Sequence, residues 1–476
     1  MTIYRKNIYY KNYFSNLNKI LKILNNNFLF KIPNLYKRDL RNDKISIIKI
    51  NFNFLKNLFN KSIVHDNYFK SCISETFFIS HYVGNVNKDK DLDFYYGKIL
   101  KDINNKTNLT LILINHTNEK LEEIKKKFSF SRINRIYLDN NFSFILDFFI
   151  LIKIFKEYFF FLFQKRFVDH RIQKSTIIKK QLTFKAFLNS RYTFKLTNKI
   201  INILNKSQKL KNLITTFEGH AFEKILFKYC SEKKINSIGY YFSIIREYKN
   251  NIYYKFVEQY QPKIVLTSGY CIKEFLKKNS PFKKKIEILG SNKSTPKILP
   301  LKLNLNKKKT RVLVCPEGLY SETFEIFNLI NHEIFRKKNI IFIFRSHPLI
   351  NLFKIFHNKK INKNIILSKN KNIQNDFNRS DFILYSGSSV CIEAVLNGLI
   401  PINFKPERNF FSYDPLFEIN KFIVGNSIDL YKKILNFPKN KNLKKKFRII
   451  QLYCKNYFVP INSNILLKNL CLKNKI

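Results

Sequence analysis

Asp381-Phe382-Ile383-Leu384-Tyr385-Ser386-Gly387-Ser388-Ser389-Val390-Cys391-Ile392-Glu393-Ala394-Val395-Leu396-Asn397-Gly398 reads as a short buried strand, a tight turn of small residues, a helix and a glycine stop. The turn Ser386-Gly387-Ser388-Ser389 would aim backbone N–H groups and hydroxyls at one point ahead of the helix. A phosphate is stabilised there by orphan donors and by the helix dipole. Glu393, one turn into the helix, offers two carboxylate oxygens to the hydroxyls of a ribose. The plainer alternative is a serine N-cap on an ordinary turn. Residues 399–404 read as the next strand, completing a βαβ unit whose ligand position is the carboxyl end of its first strand.

Strands and helices alternate on both sides of this unit. In the second half, strands are expected at 311–315, 340–344 and 365–367, with helices at 321–336, 349–356 and 372–379. In the first half, strands are expected at 75–79, 109–114, 135–138, 213–216, 237–241 and 264–267, with helices at 118–128, 142–163 and 271–278. Such alternation implies mostly parallel sheets. Ser-Asn-Lys-Ser-Thr-Pro at 291–296, then Leu-Pro and lysine-rich sequence, marks a connection between domains. The expected organisation is α/β, with two Rossmann-like doubly wound domains facing a cleft. An N-terminal extension covers 1–62, a first domain 63–290, a linker 291–309, a second domain 310–440 and basic helices 441–476, with helical character across 429–470.

At 476 residues the chain is long enough for two cores, and 45% hydrophobic content excludes a disordered protein. The net charge of +54 points to an acidic partner, either nucleic acid or an anionic membrane. Composition offers another origin. Lys, Asn, Ile, Phe and Tyr share A/T-rich codons and dominate, whereas Gly numbers 10, Pro 12 and Trp is missing. The lysines are spread rather than massed in a block, which disfavours nucleic acid as the principal partner. Seven widely spaced cysteines without a C-x-x-C pair suggest neither a disulfide framework nor a zinc knuckle, but a reduced cytoplasmic protein. No apolar leader follows Met1. Residues 142–163 are the best membrane candidate, yet Asp147, Lys153, Lys156 and Glu157 fit a buried or interfacial helix better than a span.

Further candidate groups stand at strand ends. Arg345-Ser346-His347-Pro348 follows strand 340–344, on the sheet edge expected to carry the serine turn. Arg345 offers a planar fork to phosphate, His347 a donor to phosphate or base, and Pro348 suits the first turn of a helix. Glu218-Gly219-His220 follows strand 213–216. A glutamate tuned by burial can remove the proton from an acceptor hydroxyl there, with His220 as a secondary base; helix capping is the alternative. Glu317-Gly318 after strand 311–315 is the rival carboxylate, and it also suits the nucleotide side. Gly239-Tyr240-Tyr241 and Thr267-Ser268-Gly269 end two other strands and read as tight turns or as a lining for the acceptor. The overlapping D-x-D run Asp89-Lys90-Asp91-Leu92-Asp93 could pair carboxylates on a metal, but it follows no clear strand, so no metal is expected.

The order Glu218-Gly219, His347-Pro348, Ser386–Ser389 with Glu393-Ala394 resembles GT-B fold glycosyltransferases. The nearer likeness is to bacterial capsule and lipopolysaccharide enzymes of the polysialyltransferase and Kdo-transferase type. The resemblance spans roughly residues 210–430 and implies an enzyme. In that family an acid-acid-Gly motif supplies the base, and His-Pro and serine motifs hold the CMP part of the donor. Phe217 stands here where the first acid would be. The implied partners are a nucleotide-sugar co-substrate, with no further cofactor, and a glycan or lipid-linked glycan acceptor. The implied place is the cytoplasm, with peripheral contact on the anionic inner face of the membrane open. A CDP-polyol phosphate transferase of the same fold, or a non-catalytic basic protein binding nucleic acid or membrane, are the alternatives.

Overall fold

Short runs of β-branched and aromatic residues assemble into two separate sheets. The computed structural model describes residues 63–139, 191–245, 258–280, 285–302, 309–347, 360–405, 414–437 and 442–471, save positions 85, 295–296, 337–338, 371 and 421, together with residues 149, 152, 155, 156, 159, 252, 350 and 356. The expected extension over 1–62, the helix over 349–356 apart from two residues, and Pro348 lie outside the described residues. Of 142–163, five residues are described, each helical and exposed.

The first sheet comprises β1 (Ile63–His65), β2 (Thr76–Tyr82), β3 (Leu109–Asn115), β4 (Asn134–Leu138), β5 (Asn212–Thr216), β6 (Asn236–Tyr241), β7 (Ile264–Thr267) and β8 (Lys285–Ile288). Its order is β1-β4-β3-β2-β5-β6-β7-β8, and every pairing is parallel except that of β1 with β4. The second comprises β9 (Thr310–Cys315), β10 (Ile340–Phe344), β11 (Ile365–Leu367), β12 (Phe382–Tyr385), β13 (Ile400–Phe404) and β14 (Ile423–Val424). Its order is β11-β10-β9-β12-β13-β14, parallel throughout. These are two Rossmann-like doubly wound layers, as the alternation predicts.

Helices on both faces explain the buried strands. Phe78, Leu111 and Leu113 enter one cluster, while Phe77, Ile79, Ile112 and Ile114 enter another. The period-two alternation of a strand thus sorts neighbours to opposite faces. The order reverses between β2 and β5 in one sheet and between β9 and β12 in the other. At such a switch point the connections leave in opposite directions and open a crevice at the carboxyl ends.

Two expected helices are divided. The stretch 321–336 is helix Tyr320–Ile330 followed by a 3₁₀ turn Glu333–Phe335, because extended His332 stops the first and caps the second. The stretch 429–470 is three helices, Ser427–Asn436, Leu443–Lys455 and Ser463–Asn469, with Pro460 in the last gap. Helix Leu443–Lys455 lies against the second sheet's helix Val390–Leu396, with Gln451 Nε2 donating to Val395 O at 3.2 Å. The chain then crosses back. Val459 N–H donates to Ser268 O at 3.0 Å, Asn462 N–H to Leu289 O at 2.8 Å, and Cys471 N–H to Asn212 Oδ1 at 2.9 Å. Lysine-rich sequence at 442–471 therefore braces both sheets rather than standing apart.

Gly290 makes the return crossing possible. Its φ is +93°, and a Cβ there would lie 2.2 Å from Pro460 O. Gly290→Ala should therefore cost at least about 2 kcal/mol, from left-handed backbone strain plus the clash. Denaturant unfolding checks this, and a midpoint equal to wild type would refute the account of the crossing.

Candidate active site

The two switch points carry the same local device. Glu218-Gly219-His220-Ala221-Phe222-Glu223 follows β5, and Glu317-Gly318-Leu319-Tyr320-Ser321-Glu322 follows β9. Gly219 and Gly318 have φ of +81° and +94°, which turn the chain from strand into helix. The third helical residue of each, Glu223 or Glu322, is buried and reaches back under the turn. Glu223 accepts from the backbone N–H groups of Glu218 at 3.1 Å, Gly219 at 2.7 Å and His220 at 2.8 Å. Glu322 accepts from Glu317 N–H at 2.8 Å. Donors that a helix start leaves orphaned are thus satisfied from within. Glu218 and Glu317, considered rivals from sequence, occupy the same position in the two halves. The spacing E-G-x-x-x-E was the overlooked signal.

Glu218 does not stand alone. His220 Nε2 lies 3.1 Å from Glu218 Oε2. Burial opposes charge on His220, but that hydrogen bond and the Glu223 and Glu218 carboxylates outweigh it and lift the imidazole to about 9. Burial likewise raises Glu223, to about 7. Two histidines that sequence reasoning missed complete the edge. His81, in β2, lies 2.9 Å from His116 Nε2 through Nδ1 and 3.2 Å from Thr216 Oγ1 through Nε2. Burial, then the neighbouring His116 and His220, depress His81 to about 3, so it is neutral. Its ring stands edge-on to Phe222 at 5.9 Å, and Phe222 stacks on His220 at 6.0 Å. The sheet order brings them together: β2 ends between β3 and β5.

Phe217, where the family resemblance places an acid, is buried with its ring 5.5 Å from Phe227. Gly239 makes room for it, since a Cβ there would stand 2.9 Å from Phe217 Cγ. A carboxylate could not ionise cheaply in that position. Gly269 similarly admits the Tyr457 carbonyl, 2.2 Å from where its Cβ would be.

Across the second sheet edge, Ser386 follows β12 and is buried, its carbonyl accepting from Asn403 Nδ2 at 2.8 Å. Gly387 is buried too, while Ser388 and Ser389 are half-buried. Ser388 Oγ accepts weakly from Val390 N–H at 3.4 Å, and Ser389 caps no N–H through its side chain. His347 rests on Gly318: a Cβ at that glycine would lie 2.6 Å from the imidazole. Burial lowers the His347 pKa, with the Glu317 charge working against it. Glu393 is half-buried; burial raises its pKa while the Lys293 charge opposes.

Arg345 follows β10 on the expected sheet edge, and its guanidinium has partners of its own. Its Nη1 donates to buried Asp376 at 2.7 Å and to Asn370 O at 2.8 Å. Ser368 Oγ, at 2.7 Å, and Asn370 bind the same carboxylate, so the guanidinium helps knit the end of β10 to helix Ile373–Asn378. Lys293 was read as linker. Its ammonium sits 5.7 Å from the Phe458 ring centroid and feels the charges of both Glu393 and Glu218. Burial lowers its pKa, against those two carboxylates.

The D-x-D run has structural partners. Asp89 meets Lys101 at 3.3 Å, Asp91 meets Arg132 at 3.0 Å, and Asp93 accepts from Ser80 Oγ at 2.8 Å. Among the described residues no group of three His, Cys, Asp or Glu has metal-holding geometry. All seven cysteines are free, and no described helix is long and apolar enough to cross a membrane.

No family model matches the chain, and no curated protein matches it by sequence. Several solved structures align with it at low identity. The glycotransferase of kitacinnamycin is 8% identical, with 84% of this chain and 99% of that one aligned at a TM-score of 0.49. MnaA of S. aureus, solved with UDP, is 11% identical, over 83% and 95% of the two chains, at 0.46. CalG4, the calicheamicin glycosyltransferase, is 9% identical, over 81% and 96%, at 0.46.

Two outcomes test this geometry. A histidine raised above 6.5 by its partner contributes stability that is complete below that pH and lost as pH rises through about 9. The His220 ring proton signal should titrate near 9 in wild type and at lower pH in Glu218→Gln; an unchanged midpoint would refute the pair. Arg345→Ala should destabilise by about 3 kcal/mol by stranding buried Asp376, read as a lower denaturation midpoint without ligand. A loss of nucleotide affinity at unaltered stability would instead make Arg345 a ligand-binding group.

Proposed function

We propose that this chain is a glycosyltransferase that moves a sugar from a nucleotide donor, CMP-linked in our reading, to a hydroxyl of a surface glycan or lipid-linked acceptor. One observation carries the proposal. At the carboxyl end of β5, where the strand order reverses, Glu218 Oε2 lies 3.1 Å from His220 Nε2 and the His81–His116 pair stands on the neighbouring strands, so a carboxylate and its partner occupy the place where such sheets take ligands. In this reading the Ser386–Ser389 turn and His347 receive the nucleotide, and Glu393 accepts from the ribose hydroxyls. The acceptor hydroxyl gives its proton to Glu218 while its oxygen bonds to the anomeric carbon. The electron pair of the bond that breaks leaves with the nucleotide phosphate. His220, protonated at neutral pH, holds the Glu218 carboxylate in place. Orientation and charge stabilisation supply most of the rate. The +54 charge favours work at an anionic membrane surface on the cytoplasmic side.

A thermal-shift panel of CMP, CDP, UDP, GDP and ADP tests the donor. A ligand at about 100 times its Kd adds roughly 2.7 kcal/mol. CMP should stabilise selectively, and His347→Ala and Ser388→Ala should abolish the shift. Glu218→Gln should keep the shift but lower transfer about 100-fold or more. A preference for UDP or GDP overturns the CMP assignment, and silence across the panel overturns the enzyme reading.

A further inference from the structure

Helix Leu443–Lys455 divides sharply by face. Leu443, Phe447, Ile450, Gln451 and Cys454 are buried, and the helix packs on Val390–Leu396 of the second domain. The remaining surface carries Lys444, Lys445, Lys446, Arg448 and Lys455, all exposed, and the helix contains no acid. Amid these cations stand Ile449 and Leu452, three positions apart and therefore neighbours on the helix surface. They are 54% and 45% exposed. On one flank Glu418 accepts a hydrogen bond from Tyr453 Oη at 2.9 Å. Past the last turn the basic surface continues, because Lys455 lines a cavity together with Lys273, Lys468 and exposed Tyr270. The acid in that lining, Glu287, is paired with Lys285 at 2.9 Å.

We propose that this face docks the protein on an anionic lipid bilayer, with Ile449 and Leu452 entering the headgroup layer and the surrounding cations meeting lipid phosphates. Charge complementarity selects a polyanion, and the apolar pair selects which kind. A nucleic-acid backbone offers nothing to two aliphatic side chains at the centre of the contact. The boundary of a bilayer takes apolar groups and cations together. Net charge alone does not choose this place, because lysines are spread along the whole chain. An acid-free basic helix with an apolar pair at its centre does. The buried face is committed to the core, so insertion is shallow and the helix keeps its position in the fold. This docking rests on the membrane part of the glycosyl-transfer reading, gives it a location, and is independent of the donor.

The chain has no tryptophan, so Leu452→Trp places a single fluorescent reporter on the face. With vesicles of phosphatidylglycerol and phosphatidylcholine, and no nucleotide, its emission should shift to the blue, and Ile449→Trp should do the same. Vesicles of phosphatidylcholine alone should shift neither. Phe130→Trp, at a first-domain position that is 91% exposed, should stay unshifted. In sedimentation with the mixed vesicles, the triple variant Lys444→Gln, Lys445→Gln, Lys446→Gln should lose about 100-fold in partitioning, at about fivefold per cation. Removing the same charge from exposed Lys209, Lys233 and Lys234 should cost less than about tenfold. Equal losses from the two triples, with no shift in either helix reporter, overturn the docking face in favour of diffuse attraction. A shift in Phe130→Trp alone overturns it in favour of the first domain. Binding to duplex DNA that needs Lys444–Lys446, with no binding to vesicles, overturns it in favour of nucleic acid. Each of these results leaves the nucleotide panel to decide the enzyme reading separately.

Discussion

The cleft is built on two carboxylates that never reach it. Glu223 and Glu322 lie beneath strand-end turns, and burying either would be costly without the backbone N–H groups that meet it. Those bonds fix the path of the chain for several residues. They decide where Glu218 and Glu317 leave the backbone. They also put two acids close together in the first half, which explains why His220 holds its proton so firmly. The imidazolium relieves a repulsion that the turn itself creates.

Topology then gives the two copies different company. Glu218 emerges where β5 adjoins β2, so it joins His220 and the His81–His116 pair. Glu317 emerges where β9 adjoins β10 and β12, so it faces His347 and shares an edge with the serine turn. One half gathers three histidines around a carboxylate. The other becomes a small-residue edge rich in backbone donors. The same device serves both because a parallel sheet presents all its carboxyl ends on one side.

Much of this was legible. The central strands are continuous apolar runs, and β12 occupies the residues expected of it, because a strand covered on both faces needs no alternation. Strands β1, β8 and β14 were missed, being two to four residues long and only partly buried. The rest was hidden by distance along the chain. Arg345 has the right chemistry for phosphate, and its partner Asp376 stands 31 positions away. His81 and His116 come together only once β2 and β3 are neighbours. Lys293 looked like one more lysine in a basic chain, and nothing local shows that Val459 and Phe94 fasten its turn.

The return crossing has a mechanical consequence. Polypeptide passes between the sheets twice, outward after β8 and back through Tyr457–Asn462, and the two passages are stitched together at Ser291–Val459 and Leu289–Asn462. The stitching is not the only tie: Phe275 stands edge-on to Phe417 at 5.7 Å, and Ile245 N–H donates to Tyr457 Oη at 2.6 Å. One buried cluster runs from Phe217 and Val265 to Val312 and Phe382. Cutting the chain after Lys455 would therefore remove a shared wall of the core as well as a strap.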